Sequence, residues 1–230
     1  MPRHSRKRNG ELRLFLAIYP PESVVGLLLK KLRSLDGLPP YRETIPQQVH
    51  LTLHFMGNVH PRDIDQVIES IDRAKKGIYQ FTIEVERLIA YPRQKHDTHQ
   101  PSLSSHPPTA PTARTHRAVL PRLLVAEMNQ PGYLLELHHR LVQRLSIHPR
   151  PHSNDRYSPH LTLCRFRPFR MSEYPIADHD WIHGGVDLVH DDGDAPLSFT
   201  VDGFSLMKST LNRNGAIHER IADWPLIEQN

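Results

Sequence analysis

Val49-His50-Leu51-Thr52-Leu53-His54-Phe55 and His160-Leu161-Thr162-Leu163-Cys164-Arg165-Phe166 decide how this chain is read. Each run contains the tetrapeptide His-Leu-Thr-Leu. Both are apolar and strand-like, and side chains along a strand alternate between faces. Each copy therefore turns its His and Thr to one face and its two Leu residues into a core. The chain has 17 His, so a lone His-x-Thr triplet carries little weight. Two identical tetrapeptides in matching apolar frames carry much more. Related by an approximate internal two-fold, they bring two imidazoles and two hydroxyls around one cleft. The competing reading is two amphipathic strands whose polar positions happen to be His and Thr.

The surrounding sequence supplies the rest of an α+β pattern. Leu12 to Tyr19 reads as a strand, and Pro20-Pro21-Glu22 opens a helix to about Ser34 carrying Val24, Val25, Leu28, Leu29 and Leu32 at helical spacing. Pro61 and Asp63 start a second helix to about Lys76, with Ile64, Val67, Ile68 and Ile71 on one stripe. Phe81–Val85 and Val119–Met128 read as strands. Gly132 to about Ser146 reads as an amphipathic helix carrying Leu134, Leu135, Leu137, Leu141, Val142 and Leu145. Trp181–Val189, Leu197–Phe204 and Ile217–Trp224 are further strands joined by Asp/Gly turns. The expected architecture is two pseudo-symmetric lobes around a central cleft, each lobe an antiparallel sheet backed by helices and holding one His-x-Thr strand. Residues 1–11 read as a basic flexible tail, and 12–227 as a single bilobal domain. Residues 93–117, rich in Pro, Ser, Thr and His, read as a loop insert that cannot bury enough surface to offset its ordering entropy.

At these residues the chain resembles the 2H phosphoesterase superfamily, named for its paired His-x-[Thr/Ser]-x motifs. It is most similar to the RNA 2′,3′-cyclic phosphodiesterases, historically called 2′-5′ RNA ligases. The opening Leu12–Pro21, the continuation His54-Phe55-Met56-Gly57, and Ser158-Pro159 before and Cys164-Arg165 after the second motif all follow that pattern. So does the late stretch Phe204–Ser209 with Gly215. The resemblance spans roughly residues 12–227. It departs at the insert and at Met207, where an aromatic is usual. It implies metal-independent opening of RNA 2′,3′-cyclic phosphate ends to 2′-phosphomonoesters, with reversible 2′-5′ RNA ligation beside it. It makes His50 the acid that protonates the 3′ oxygen and His160 the base that activates water. The residues themselves leave those two roles open.

The chemistry suits the residues. Opening a cyclic phosphate needs a base for water, an acid for the leaving ribose oxygen, and donors for the equatorial oxygens. Two histidines divide the first two tasks. Thr52 and Thr162 supply hydroxyl donors, and no cofactor or metal is called for. Arg165, five residues after His160, is the expected phosphate clamp, although strict alternation puts it on the opposite face, so the strand must twist or bulge there. The same alternation puts His54 on the His50 face. Cys164 reads as a wall residue rather than a nucleophile. Tyr157 reads equally as a base-stacking or a core-edge residue, and His138-His139 as surface residues.

Composition bounds the alternatives. The net charge of +4 over 230 residues suits a polyanionic ligand. A single Cys excludes an internal disulfide framework and fits a reducing, cytoplasmic setting. No apolar run reaches the ~18–20 residues that span a bilayer, so no membrane partner is expected. The expected partners are RNA with 2′,3′-cyclic phosphate ends or cyclic nucleotides, met by a monomer. A metal site at His50 and His54 is excluded on a strand, where four residues span roughly 13 Å. Two rivals remain: a non-catalytic RNA- or nucleotide-binding module, and a phosphodiesterase for another small substrate such as 2′-5′ oligoadenylate.

Overall fold

The computed structural model describes residues 10–92, 120–146, 157–169, 181, 185–188, 196–212 and 215–228. The tail and the 93–117 insert lie outside the described residues, apart from positions 10 and 11.

The first strand, β1 (Leu12–Ile18), leads through Pro20-Pro21 into α1 (Glu22–Arg33). Pro21 sets the helix entry, Glu22 faces the positive N-terminal end, and Lys30, Lys31 and Arg33 face the negative C-terminal end. The apolar stripe read from the sequence is the buried one: Val24, Val25, Leu28, Leu29 and Leu32. A short strand that the periodicity does not reveal, β2 (Tyr41–Glu43), precedes β3 (Leu51–Val59), the first motif strand. Then come α2 (Ile64–Ala74), β4 (Phe81–Tyr91), β5 (Leu123–Met128), α3 (Gly132–Leu145) and the second motif strand β6 (His160–Phe166). The chain closes with β7 (Val186–Asp187), β8 (Ser198–Val201) and the hairpin β9 (Gly203–Asn212) and β10 (Gly215–Pro225). The expected strand Leu197–Phe204 is split at Asp202. At Gly203 an added Cβ would sit 2.8 Å from the Trp224 carbonyl oxygen, so only glycine lets the hairpin strands approach there.

The pairs are antiparallel, in the order β10-β9-β1-β3-β6-β5-β4-β7, with β2 also on β6 and β8 on β4. The two halves join where Leu51 pairs with Leu161. The expected α+β fold of antiparallel sheet backed by helices is present, and its two halves share one sheet. The sheet is continuous, α1 reaches β6, α3 reaches β3, and α2 packs on α3. One apolar core runs under both motif strands, including Leu16, Leu28, Leu51, Leu137, Leu141 and Leu161. Within α3, Leu134, Leu137 and Leu141 are buried, whereas Leu135 faces solvent because it lies off that stripe. Polar side chains lock the layers. Arg140 of α3 donates to the Ala74 and Lys76 carbonyls at the C-terminal end of α2, at 3.4 and 2.7 Å. Trp224 Nε1 donates to Asp72 of α2 at 2.7 Å.

Candidate active site

The cleft lies at the junction of β3 and β6, which register through the Leu51–Leu161 pair. In an antiparallel register centred on that pair, His50 stands across from Thr162 and Thr52 across from His160. Leu51, Leu53, Leu161 and Leu163 are all buried. His50, Thr52, His160, Thr162 and Arg165 all line one cleft of about 380 Å³. The structure thus brings together every site residue expected from the sequence.

Both motif strands carry the same irregularity. On β3, Leu16 pairs with His54 and Ala17 with Thr52, leaving Leu53 as an extra residue. On β6, Leu124 pairs with Cys164 and Val125 with Thr162, leaving Leu163 as the extra one. A bulge of one residue inverts the alternation beyond it. This is how Arg165 comes back to the cleft face. It also overturns two expectations. His54 does not share the His50 face: it turns to the helix layer, where His138 of α3 lies within electrostatic range. Cys164 is no cleft wall: it is fully buried in the core, where burial pushes its thiol up to about 12. Phe55, equivalent to Arg165 in the first motif, is 49% exposed with the Arg13 guanidinium 4.7 Å above its ring.

The two histidines are held alike. His50 Nδ1 lies 2.7 Å from the Gln48 carbonyl oxygen, and His160 Nδ1 lies 2.8 Å from the Ser158 carbonyl oxygen. A carbonyl only accepts, so each Nδ1 carries a hydrogen and each Nε2 is left as the nitrogen able to take up or give a proton. Gln48 also donates Nε2–H to the Ala216 carbonyl at 2.7 Å, tying the β9–β10 hairpin to the His50 turn.

Their surroundings differ. His50 packs against Phe15, Tyr19 and His218, with ring centroids 5.1, 5.6 and 5.2 Å away. Burial there pushes its pKa down to about 4, with His218, His160 and Arg165 adding to the effect against the Gln48 hydrogen bond. Behind His160 lies a polar cluster. The Tyr91 ring is 5.2 Å from the imidazole, and Tyr91 Oη donates to Glu127 at 2.9 Å and lies 2.7 Å from Ser158 Oγ. The Glu127 carboxylate, 4% exposed, also accepts from Arg87 Nε at 2.9 Å. This cluster fixes Ser158, whose carbonyl orients His160.

Tyr157 and His138 take structural places. Their rings stack at 3.8 Å, and Tyr157 Oη donates to the Thr52 carbonyl at 3.1 Å. Tyr157 is therefore a core-edge residue that links the approach to β6 with β3. His138 is half-buried rather than a surface residue, and burial lowers it to about 4. Among the described residues, no three His, Cys, Asp or Glu side chains group as a metal site, and no helix is long and apolar enough to cross a membrane.

Residues 18–98 match the family model described as LigT like Phosphoesterase. The matched stretch holds the first motif, and the second lies beyond it. No curated protein matches the chain by sequence. The LigT-like fold is shared with solved structures. TT0787 of Thermus thermophilus is 19% identical with a TM-score of 0.67, the match covering 95% of this chain and 100% of that one. E. coli LigT in apo form is 18% identical with a TM-score of 0.60, covering 95% and 99%. E. coli LigT complexed with 3′-AMP is 19% identical with a TM-score of 0.57, covering 94% and 98%.

The cleft also contains residues that the sequence reading passed over: Arg42, Glu43, Gln48, Leu123 and His218. Arg42 follows Pro39-Pro40 in a strand too short for periodicity to reveal. His218 alternates with exposed Ile217 and Glu219, which signals a strand but not the side on which it packs. His218 Nδ1 is buried and has no hydrogen-bond partner among the described residues.

Proposed function

We propose that this protein hydrolyses RNA 2′,3′-cyclic phosphate ends to 2′-phosphomonoesters, by metal-independent proton exchange through His50 and His160. The observation that carries the reading is the matched pair of Nδ1 bonds, to the Gln48 and Ser158 carbonyls, which leaves two Nε2 atoms for one cleft. In the reaction, one Nε2 takes a proton from water as its oxygen bonds to phosphorus. The phosphorus–O3′ bond breaks, and the other imidazolium gives its proton to O3′. Thr52, Thr162 and Arg165 donate to the non-bridging oxygens as their charge builds. Solvent exchange resets the two rings. With the 5′-hydroxyl of a second RNA end in place of water, the same displacement breaks the phosphorus–O3′ bond and joins the ends through a 2′-5′ bond.

The environment of His50 favours a different division of labour from the one the resemblance implies. A ring held neutral down to about pH 4 by burial serves better as the base than as the acid. His160 then protonates the leaving oxygen. E. coli LigT has been solved with 3′-AMP, ATP and NADP+, which supports nucleotide binding on this fold. Turnover of a 2′,3′-cyclic mononucleotide in excess chelator tests the reading. Binding without turnover leaves the non-catalytic module, and turnover of 2′-5′ oligoadenylate alone leaves the other phosphodiesterase.

A further inference from the structure

We propose that His218 is a third functional histidine of the cleft, a neutral ring that donates its Nε2–H to a non-bridging oxygen of the reacting phosphate beside His50. The inference rests on the cyclic-phosphate reading above and adds a substrate-binding residue to its site.

The hairpin delivers the ring. Ala216 and His218 line the cleft, while Ile217 between them is exposed, so alternation along β10 turns this face inward. The Gln48–Ala216 bond fixes the strand two residues away. Phe15 and His50 then hold the His218 ring in edge-on contacts, with centroids 4.9 and 5.2 Å away.

The two nitrogens of that ring differ. Nδ1 is buried and meets no hydrogen-bond partner among the described residues. A hydrogen there would be a buried donor without an acceptor, a defect that folded proteins rarely carry. A neutral imidazole holds one hydrogen, which places it on Nε2. A second hydrogen, on Nδ1, would bury part of a cation without a partner, and burial already lowers the pKa of His218. His218 is thus the reverse of His50 and His160, whose Nδ1–H groups are tied to carbonyls and whose Nε2 atoms are bare. Two rings are set to exchange protons, and the third presents a fixed donor.

Position selects the ligand atom. To exchange its proton, His50 Nε2 must come within about 2.6–3.2 Å of an oxygen that bonds to phosphorus. The His218 ring touches the His50 ring and lines the same cleft. A donor on it falls beside the same phosphorus, where charge builds on the non-bridging oxygens.

Two measurements test the proposal. Heteronuclear NMR of the imidazole nitrogens, at a pH where the ring is neutral, should find the His218 hydrogen on Nε2. This readout needs neither turnover nor a variant, and a hydrogen on Nδ1 overturns the proposal. The second measurement is kinetic. His218→Phe keeps the ring contacts with Phe15 and His50 and loses the donor. Its kcat/KM for adenosine 2′,3′-cyclic monophosphate should fall about 10–100-fold. His218→Gln carries an amide N–H near the Nε2 position and should recover most of that loss. A thermal melt checks that both variants fold. With the two diastereomers of adenosine 2′,3′-cyclic phosphorothioate, the Phe penalty should shrink for the one whose sulfur meets His218 and persist for the other. A Phe variant as active as the parent, or equally impaired on both diastereomers, confines His218 to packing. If the parent protein turns over no cyclic phosphate, the cyclic-phosphate reading falls. The Kd for adenosine 2′-monophosphate then decides the contact: weaker binding in the Phe variant alone supports it, and equal binding by all three proteins overturns it.

Discussion

Leu51 stands directly opposite Leu161 at the junction of the two halves of the sheet. Both are fully buried, and the equivalent positions of the two motifs radiate from them. The core thereby sets the separation of the two histidines: the Leu pair is anchored from below, and the polar residues on the upper face follow. A side chain of different volume at either position moves one half-site against the other. The geometry of the cleft is coupled to packing rather than to loops.

His50→Ala and His160→Ala should each lose on the order of 10²–10⁴-fold in turnover. If both act on one transition state, the double variant should fall far short of the product of the two losses. A phosphodiester with a nitrophenolate leaving group needs no proton on departure. It should restore much of the activity of His160→Ala and little of that of His50→Ala. The reverse pattern would return the acid role to His50.

The pH profile of kcat/KM should be bell-shaped. As pH falls through about 4, His50 gains a proton on Nε2 and ceases to act as a base, so the acidic limb should lie well below the ordinary histidine range. Rising pH then removes the proton from the acid and closes the alkaline side. An acidic limb at about 6.5 in the free protein would show that the Phe15, Tyr19 and His218 cage does not control His50.

The bulges explain what was legible in the sequence and what was not. His-Leu-Thr-Leu declares its own alternation, so His50, Thr52, His160 and Thr162 could be placed on one face from the residues alone. Beyond Leu53 and Leu163, alternation fails. The cause is the register against β1 and β5, which belongs to other parts of the chain. Hence Arg165 reached the cleft against strict alternation, while His54 and Cys164 went to the other side. The apolar stripe of α1 was legible because it repeats five times within one helix. His218 and Glu127 carry no such repetition. They matter only through partners brought from elsewhere in the sheet: His50 and Tyr91.

Thr52→Val and Thr162→Val should lower kcat more than they raise KM if their hydroxyls meet charge that develops in the transition state. Arg165→Lys keeps the charge and loses the planar fork, so it should fall well below the parent in kcat/KM. A Lys variant as active as the parent would reduce Arg165 to a surface cation.

Tyr91→Phe removes the hydroxyl shared between Glu127 and Ser158. The buried carboxylate then loses a donor, at a cost of about 1–3 kcal/mol in a urea unfolding series. If the cluster also orients His160, kcat should fall while KM holds, and the alkaline limb of the pH profile should shift. A variant that is less stable but kinetically unchanged would confine the cluster to a structural role.

The most direct test of the account is the product formed from an RNA oligonucleotide ending in a 2′,3′-cyclic phosphate, incubated with the protein in excess chelator and resolved by chromatography against 2′- and 3′-phosphate standards. The account predicts complete conversion to the 2′-phosphate, undiminished by chelator and lost in His50→Ala and His160→Ala. No conversion, a 3′-phosphate product, or activity that vanishes with chelator and returns with a divalent ion would contradict it.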